Sequence, residues 1–180
     1  MIRAKFNVVP PAATVELTVH VYAFILIPFA DQAPAVKPLK LPCYCGSIRQ
    51  ASRVVTQMYD KALKPSGVKI TQFGILRLLK HFPGLTTGEM AEALVMDSTT
   101  LTRTLKIIHD SKWIESTPGE DRRERHWALT DEGRARLQEA EPLWKNAQKE
   151  FTAMMNDVDL DGLTRTVFQL VQKSTEAAVP

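Results

Sequence analysis

The chain has 180 residues, of which 44% are hydrophobic and 24% are charged, and its formal net charge at neutral pH is +3. This length and composition predict one folded domain, alone or with an extension, and argue against global disorder. Two cysteines are too few for a disulfide-stabilised scaffold, and no uncharged apolar run reaches the roughly 18 residues of a membrane span. These properties predict a cytoplasmic protein without membrane contact, in which any basic binding surface is local.

Residues 1–42 are predicted to form an N-terminal extension, and they contain six of the eleven prolines. Apolar and polar residues alternate over residues 15–23, which predicts a β-strand. A secretory signal is one alternative, but Glu16 and His20 interrupt its apolar region. Two further interpretations are an arm that packs on a partner subunit and an upstream stretch that does not belong to the natural protein.

Two helices are predicted next. Apolar residues recur at three- and four-residue steps over residues 46–63 and again over residues 71–80. The first helix carries arginine, glutamine and lysine between its apolar positions. The second is more apolar, so we expect it to be buried beneath the segment that follows.

A helix, a short turn and a second helix are predicted between residues 86 and 110. Thr86 and Glu89 fit a capping box, in which each side chain binds the backbone amide of the other residue. Asp97 is the predicted N-cap of the second helix. The inward face of this helix is formed by Leu101, Leu105 and Ile108.

The opposite face of the second helix carries hydroxyl groups and cations, with no acidic residue between Asp97 and Asp110. Hydroxyls can reach base edges or phosphates in a DNA major groove, and the cations neutralise backbone charge. This pattern predicts a recognition helix for double-stranded DNA. Its candidate contact residues are Ser98, Thr99, Thr100, Thr102, Arg103 and Lys106.

A two-stranded ribbon with a charged tip is predicted after this helix. Residues 113–115 form the first strand, residues 117–120 turn the chain, and residues 125–129 form the return strand. An arginine on such a tip can enter the narrow minor groove, where the potential is most negative. The alternative is a solvated charged hairpin. The candidate contact residues here are Asp121, Arg122, Arg123 and Arg125.

The last third of the chain is predicted to form two helices, from residue 131 to about residue 156 and from about residue 160 to residue 177. Their apolar stripes are long enough to leave apolar surface uncovered in a single copy. Pairing with a second copy would cover this surface and would hold two recognition helices one DNA turn apart. The alternative is packing within one subunit.

The segment from residue 85 to residue 133 resembles the winged helix-turn-helix of the MarR (multiple antibiotic resistance regulator) family. The resemblance rests on Thr102-Arg103, on the tip from Asp121 to Arg125, and on the run Leu129-Thr130-Asp131-Glu132-Gly133, and with flanking helices it covers residues 41–177. It implies a mostly α fold, with a winged helix-turn-helix DNA-binding lobe at residues 70–130 and an α-helical dimerisation region at residues 46–63 and 131–177.

The family resemblance also implies a function for residues 43–180: a homodimeric regulator, usually a repressor, that binds a pseudo-palindromic operator and is released by a small aromatic ligand. Arg123 would enter the minor groove, with Asp121 orienting it. Two positions depart from the family pattern. Lys112 stands where a glycine usually forms a left-handed turn, and Ile107 stands near a position that is commonly basic.

The sequence leaves two alternative sets of sensing residues open. In the peroxide-sensing branch of the family, a reactive cysteine precedes the first helix at the distance that separates Cys45 from Ser52-Arg53, and a supporting tyrosine would match Tyr59. Ile70 and Arg49 stand where that branch has further tyrosines. Oxidation of Cys45 to a sulfenic acid would then loosen DNA binding, with Cys43 nearby. The other set would line a ligand pocket: Arg49, Arg53, Tyr59 and Phe73.

Metal sensing and catalysis find little support in the sequence. Cys43 and Cys45 are too closely spaced for a zinc signature, and the histidines show no ligand spacing. No nucleophile-base pair or phosphate-binding glycine loop is present, so a cysteine-dependent enzyme using Cys45 is the one enzyme alternative. We therefore expect neither a cofactor nor a metal.

Overall fold

The computed structural model describes residues 37–121 and 124–177. Within these residues the helices are α1 (Tyr44–Leu63), α2 (Ile70–His81), α3 (Thr87–Leu94), α4 (Ser98–Asp110), α5 (Asp131–Met154) and α6 (Leu160–Ala177), and a 3-10 turn spans Lys64–Ser66. The strands are β1 (Leu85–Thr86), β2 (Ile114–Pro118) and β3 (Arg125–Leu129). The mostly α fold with a winged helix-turn-helix is therefore confirmed. The predicted strand at residues 15–23 lies outside the described residues.

The helix-turn-helix begins with the predicted capping box. The Thr86 amide donates to Glu89 Oε2 over 2.7 Å, and the Glu89 amide donates to Thr86 Oγ1 over 3.2 Å. Bonds from the Thr86 amide and hydroxyl hold the pKa of Glu89 below its ordinary value, because they stabilise the carboxylate. Asp97 caps α4 as predicted, since its Oδ1 accepts the Thr100 amide over 3.0 Å. Local side-chain chemistry therefore fixes where both helices start.

Both helices of this unit end in a left-handed residue that is not glycine. Val95 follows α3 with a φ of 51°, and Lys112 follows α4 with a φ of 61°. The next amides close the ends of the helices, from Met96 to the Ala91 carbonyl (2.8 Å) and from Trp113 to the Ile108 carbonyl (3.1 Å). The expected left-handed turn at Lys112 is confirmed, whereas the one at Val95 was not predicted.

The wing is a three-stranded antiparallel sheet with strand order β1-β3-β2. The predicted two-stranded ribbon is wrong in this respect, because Leu85 pairs with Trp127 and adds a third strand. β2 also extends further than predicted. Residues 117 and 118 belong to it rather than to the turn, because Pro118 still pairs with Arg125. Pairing with β3 therefore forms β1 and lengthens β2 beyond what the residues of these strands indicate by themselves.

Thr130 and Gly133 attach the wing to α5. The Thr130 hydroxyl donates to the Lys112 carbonyl over 2.6 Å and accepts the Gly133 amide over 3.0 Å, which caps α5. A Cβ on Gly133 would lie 1.8 Å from the Trp113 carbonyl oxygen. This contact explains the glycine in the Leu129–Gly133 run, because only a residue without a side chain allows α5 to approach the start of β2 so closely.

The core lies between α2, α4, α5 and the wing. It contains the predicted inward stripe of α4, each residue of which is at most 1% exposed: Leu101, Leu105 and Ile108. Phe73 of α2 stacks on Trp144 of α5, with ring centroids 5.6 Å apart. The Arg77 guanidinium lies 4.5 Å from the Trp144 ring centroid. The burial of its stripe seats α4 on the rest of the lobe and leaves its other face outward.

Helices α1 and α6 expose apolar residues. α1 starts at Tyr44, two residues earlier than predicted, and Cys43 before it is extended. On α6, the whole predicted stripe is exposed by 37% or more: Leu163, Val167, Leu170 and Val171. α6 has no buried residue. Among the described residues, none of the helices is long and apolar enough to cross a membrane.

Candidate nucleic-acid interface

The outward face of α4 presents all six residues that the sequence predicts for DNA contact. Each of them is exposed: Ser98, Thr99, Thr100, Thr102, Arg103 and Lys106. The buried stripe on the opposite face fixes the rotation of the helix, so these side chains share one side of the lobe. The arrangement suits a helix that lies in a groove about as wide as itself.

The two cations of α4 differ in their surroundings. Lys106 Nζ lies 2.9 Å from Asp110 Oδ2, one helical turn further on. Within the described part of the chain, Arg103 has no such partner. Because the Lys106–Asp110 pair is exposed, it is weak, and a phosphate can compete for the lysine. Sequence analysis missed this pair, although the four-residue spacing of Lys106 and Asp110 could have indicated it.

Two of the hydroxyl groups on this face are already hydrogen-bonded. Thr102 Oγ1 donates to the Ser98 carbonyl over 2.7 Å. Thr100 Oγ1 donates to Asp97 Oδ1 over 3.3 Å, which is long for a hydroxyl bond. Because these two hydroxyls already use their hydrogens, the face offers hydrogen-bond acceptors as well as donors.

The wing is fixed to the start of α3 by side chains of β3. His126 Nδ1 lies 2.8 Å from the Gly84 carbonyl oxygen, so this nitrogen carries the proton and donates it. Trp127 Nε1 donates to Thr87 Oγ1 over 2.9 Å. These bonds hold the wing in a set orientation beside the helix-turn-helix.

The wing tip carries the remaining predicted contacts. Arg125 is exposed, and its Nη1 donates to Ser116 Oγ across the hairpin over 3.3 Å. Asp121 is exposed, and its carbonyl accepts the Glu124 amide over 2.9 Å, which closes the turn. The predicted contact residues Arg122 and Arg123 lie outside the described residues.

The two cysteines lie at the start of α1. Cys43 is the extended residue before the helix, Cys45 is in its first turn, and both are exposed. Tyr59 follows Cys45 by 14 residues, about 21 Å along the helix axis. The Tyr59 hydroxyl donates to Gln148 Oε1, and burial raises the pKa of Tyr59. Tyr59 of the same subunit is therefore too far away to support the Cys45 thiolate.

The residues predicted to line a ligand pocket are not brought together within one subunit. Phe73 is 2% exposed and packs in the core. Arg49 and Arg53 are exposed on α1, and Arg49 lies about 15 Å along the axis from Tyr59. A cavity of about 330 Å³ lies elsewhere, between the turn before α4 and the last helix. Its lining residues are Val95, Leu170, Val171, Ser174 and Thr175.

No group of three potential metal ligands (His, Cys, Asp or Glu) is present in the described ranges. Cys43 and Cys45 therefore have no third potential ligand beside them among these residues.

Comparisons with known proteins agree with this geometry. The MarR family model matches residues 66–124. The structure is similar to that of the transcriptional regulator MosR of M. tuberculosis in complex with DNA, with 35% identity and a TM-score of 0.69 over 76% of this chain and 99% of MosR. It also shares its fold with the transcriptional repressor CouR bound to a 23-mer DNA duplex, with 23% identity and a TM-score of 0.65 over 75% and 99% of the two chains.

A sequence relative points the same way. The uncharacterised HTH-type transcriptional regulator YwoH of Bacillus subtilis (strain 168) is 25% identical over 126 residues, which cover 70% of this chain and 92% of YwoH. These relatives are transcriptional regulators rather than enzymes. From the winged helix-turn-helix and the similarity to MosR along almost its full length, we conclude that the chain belongs to the MarR family of transcriptional regulators.

Proposed function

We propose that this protein is a repressor that binds a pseudo-palindromic DNA operator as a homodimer. The observation that carries the proposal is the outward face of α4, where exposed hydroxyls and Arg103 stand on a fully buried apolar stripe. Ser98, Thr99, Thr100 and Thr102 contact base edges, and Arg103 and Lys106 contact phosphates. At the wing tip Arg123 enters the minor groove, Asp121 orients it, and Arg122 and Arg125 assist.

The exposed apolar residues support the homodimer. The α6 stripe is uncovered, and α1 exposes Ile48 by 51% and Val54 by 62%. Water-exposed apolar surface of this extent is unfavourable, and pairing of α1, α5 and α6 with their mates removes it. A two-fold axis through this interface places two α4 helices on successive turns of one DNA face.

Release from DNA requires a ligand that binds one dimer geometry better than another. The 330 Å³ cavity between Val95 and α6 is open to solvent, and its mostly apolar lining supports a small, largely apolar ligand as this signal. The cavity touches both a predicted dimerisation helix and the turn that leads into α4. A ligand there shifts the spacing of the two recognition helices, and transcription resumes.

The test starts with an operator selected from random DNA duplexes. Arg103→Ala removes the α4 cation that has no ion-pair partner in the described part of the chain, and we expect the affinity to fall about tenfold at moderate salt. The slope of log affinity against log salt should decrease by about one unit, because one phosphate contact is lost. Arg165→Ala on α6 removes an exposed arginine elsewhere and should leave both quantities unchanged. If the chain binds no duplex even at low salt, the proposed function is wrong.

A second candidate signal is an organic hydroperoxide, and the exposure of both thiols at the start of α1 favours it. The peroxide transfers one oxygen to the Cys45 thiolate, which becomes a sulfenic acid while the peroxide leaves as an alcohol. We expect one equivalent of hydroperoxide to lower operator affinity of the unmodified chain but not of Cys45→Ser. Equal responses of the two proteins would eliminate this candidate.

A further inference from the structure

The hydroxyl of Thr102 is the polar group on the face of α4 whose hydrogen is most firmly held. Its Oγ1 lies 2.7 Å from the Ser98 carbonyl oxygen, four residues earlier on the same helix. This is the usual length for a hydroxyl that donates to a carbonyl. Thr104 makes the same type of bond to the Thr100 carbonyl over 3.0 Å, but Thr104 is half-buried at the side of the helix.

A threonine hydroxyl has one hydrogen and two lone pairs. Because the hydrogen of Thr102 is used within the helix, the side chain presents only lone pairs to a partner in the groove. The bond is local and involves a carbonyl of the same rigid helix, so docking on DNA does not need to break it. Thr102 therefore acts as an acceptor.

The major groove offers few donors to such an acceptor. Adenine presents its N6 amino group and cytosine its N4 amino group, whereas guanine presents N7 and O6 and thymine presents O4, all of which accept. An acceptor that faces another acceptor loses its water without gaining a bond, which is unfavourable. A Thr102 hydroxyl that only accepts therefore favours adenine or cytosine over guanine or thymine.

The neighbouring hydroxyls do not impose the same choice. The Thr100 hydroxyl is held by the longer 3.3 Å contact with Asp97. The hydroxyls of Ser98 and Thr99 make no hydrogen bond within the described residues. These three groups can turn to donate or to accept. The fixed polarity is therefore specific to Thr102.

We infer that Thr102 is a specificity-determining residue that accepts a hydrogen bond from an exocyclic amino group, adenine N6 or cytosine N4, at one position of each operator half-site. This inference rests on the proposed function. It goes beyond that function because it assigns the direction of the hydrogen bond and the chemical class of the base.

The experiment removes the amino group from the DNA and the hydroxyl from the protein in turn. At each position of one half-site of the selected operator, adenine is replaced by purine or cytosine by pyrimidin-2-one, which lack only the amino group. We expect one replacement to weaken binding of the unmodified chain about fivefold, the value of one ordinary hydrogen bond. Thr102→Val, which keeps the shape but lacks the hydroxyl, should be insensitive to that replacement.

Two variants control the experiment. Thr102→Ser keeps a hydroxyl that can form the same bond to Ser98 and should respond like the unmodified chain. Thr104→Val removes the other back-bonded hydroxyl and should also respond like the unmodified chain.

Three results would overturn the inference. One is that Thr102→Val keeps the full sensitivity to loss of the amino group. Another is that replacement of guanine by 7-deazaguanine weakens binding of the unmodified chain but not of Thr102→Val. The Thr102 hydroxyl would then donate to guanine N7 instead of accepting. If the unmodified chain selected no duplex at all, the proposed function would fail first and this inference with it.

Discussion

At the scale of single residues, Gly133 shows how one missing side chain sets the distance between two elements. A Cβ there would lie 1.8 Å from the Trp113 carbonyl oxygen, an atom of the backbone that cannot turn aside. Gly133→Ala must therefore push α5 away from β2. We expect it to lower the free energy of unfolding by about 3 kcal/mol, at the upper end of the usual cost of overpacking.

Urea denaturation followed by circular dichroism measures this loss. Gly74→Ala is the matched control, because Gly74 lies inside α2 and a Cβ there meets no atom within 4 Å. That substitution should stabilise the protein by about 0.5–1 kcal/mol, since alanine favours the helix. Equal stability of the two variants would show that α5 does not approach β2 as closely as described.

Asp110 is the second residue with a measurable role. It lies 2.9 Å from Lys106 at the end of α4 and brings a negative charge to the helix that we propose to face DNA. Asp110→Asn frees the lysine and removes the repulsion of phosphates, so we expect operator affinity to rise about threefold at low salt and the gain to shrink at high salt. Fluorescence anisotropy over a salt series measures both. A loss of affinity would contradict the expected repulsion and would mean that Asp110 contributes to binding.

The sequence predicts which residues of α4 face outward but not the state of their polar groups. The burial of Leu101, Leu105 and Ile108 follows from a three- and four-residue spacing that is visible in the sequence. The direction of the Thr102 hydroxyl does not follow, because a threonine side chain can also turn toward solvent. That choice is decided by the helix geometry around it.

At the scale of elements, α4 is bracketed by two left-handed residues, Val95 and Lys112. A β-branched residue in this conformation is strained, because its side chain crowds the following carbonyl. Val95 is 58% exposed, so its replacement removes little buried surface. We expect Val95→Gly to stabilise the protein by about 1 kcal/mol in urea denaturation.

Ser111→Gly is the control for this prediction. Ser111 has an ordinary helical φ of −78°, so glycine there relieves no strain. It loosens the unfolded chain and removes the hydrogen bond from Ser111 Oγ to the Ile107 carbonyl, so it should destabilise the protein. A fall in stability for both variants would show that Val95 is not strained. If Val95→Gly also changes the response to the inducing ligand, Val95 is part of the ligand cavity as proposed.

Element boundaries are predictable where local side chains set them. Thr86, Asp97 and Thr130 cap their helices with their own oxygens, and all three positions are visible in the sequence. β1 is different, because its two residues form a strand only through pairing with Trp127, some forty residues later. A contact of that kind leaves no periodic pattern in so short a segment.

At the scale of the whole molecule, the proposed dimer makes the exposed stripe of α6 an interface. Val167 is 51% exposed at the centre of this stripe. Val167→Glu places a charge where the mates would meet, and removal of that charge from water is costly. Because Val167 is exposed, the variant should fold normally. We expect it to sediment as a monomer at micromolar concentration, and the unmodified chain to sediment as the proposed dimer.

The loss of the dimer has a consequence for DNA binding. Two linked α4 helices bind the second half-site at a high effective concentration, and a monomer lacks this advantage. Val167→Glu should therefore bind the full operator about a hundredfold more weakly, while its affinity for a single half-site stays that of one subunit. Gln169→Glu adds the same charge on the opposite face of α6 and should remain a dimer with full affinity. If Val167→Glu kept both the dimer and its affinity, α6 would not be the interface, and the apolar stripe would need another partner.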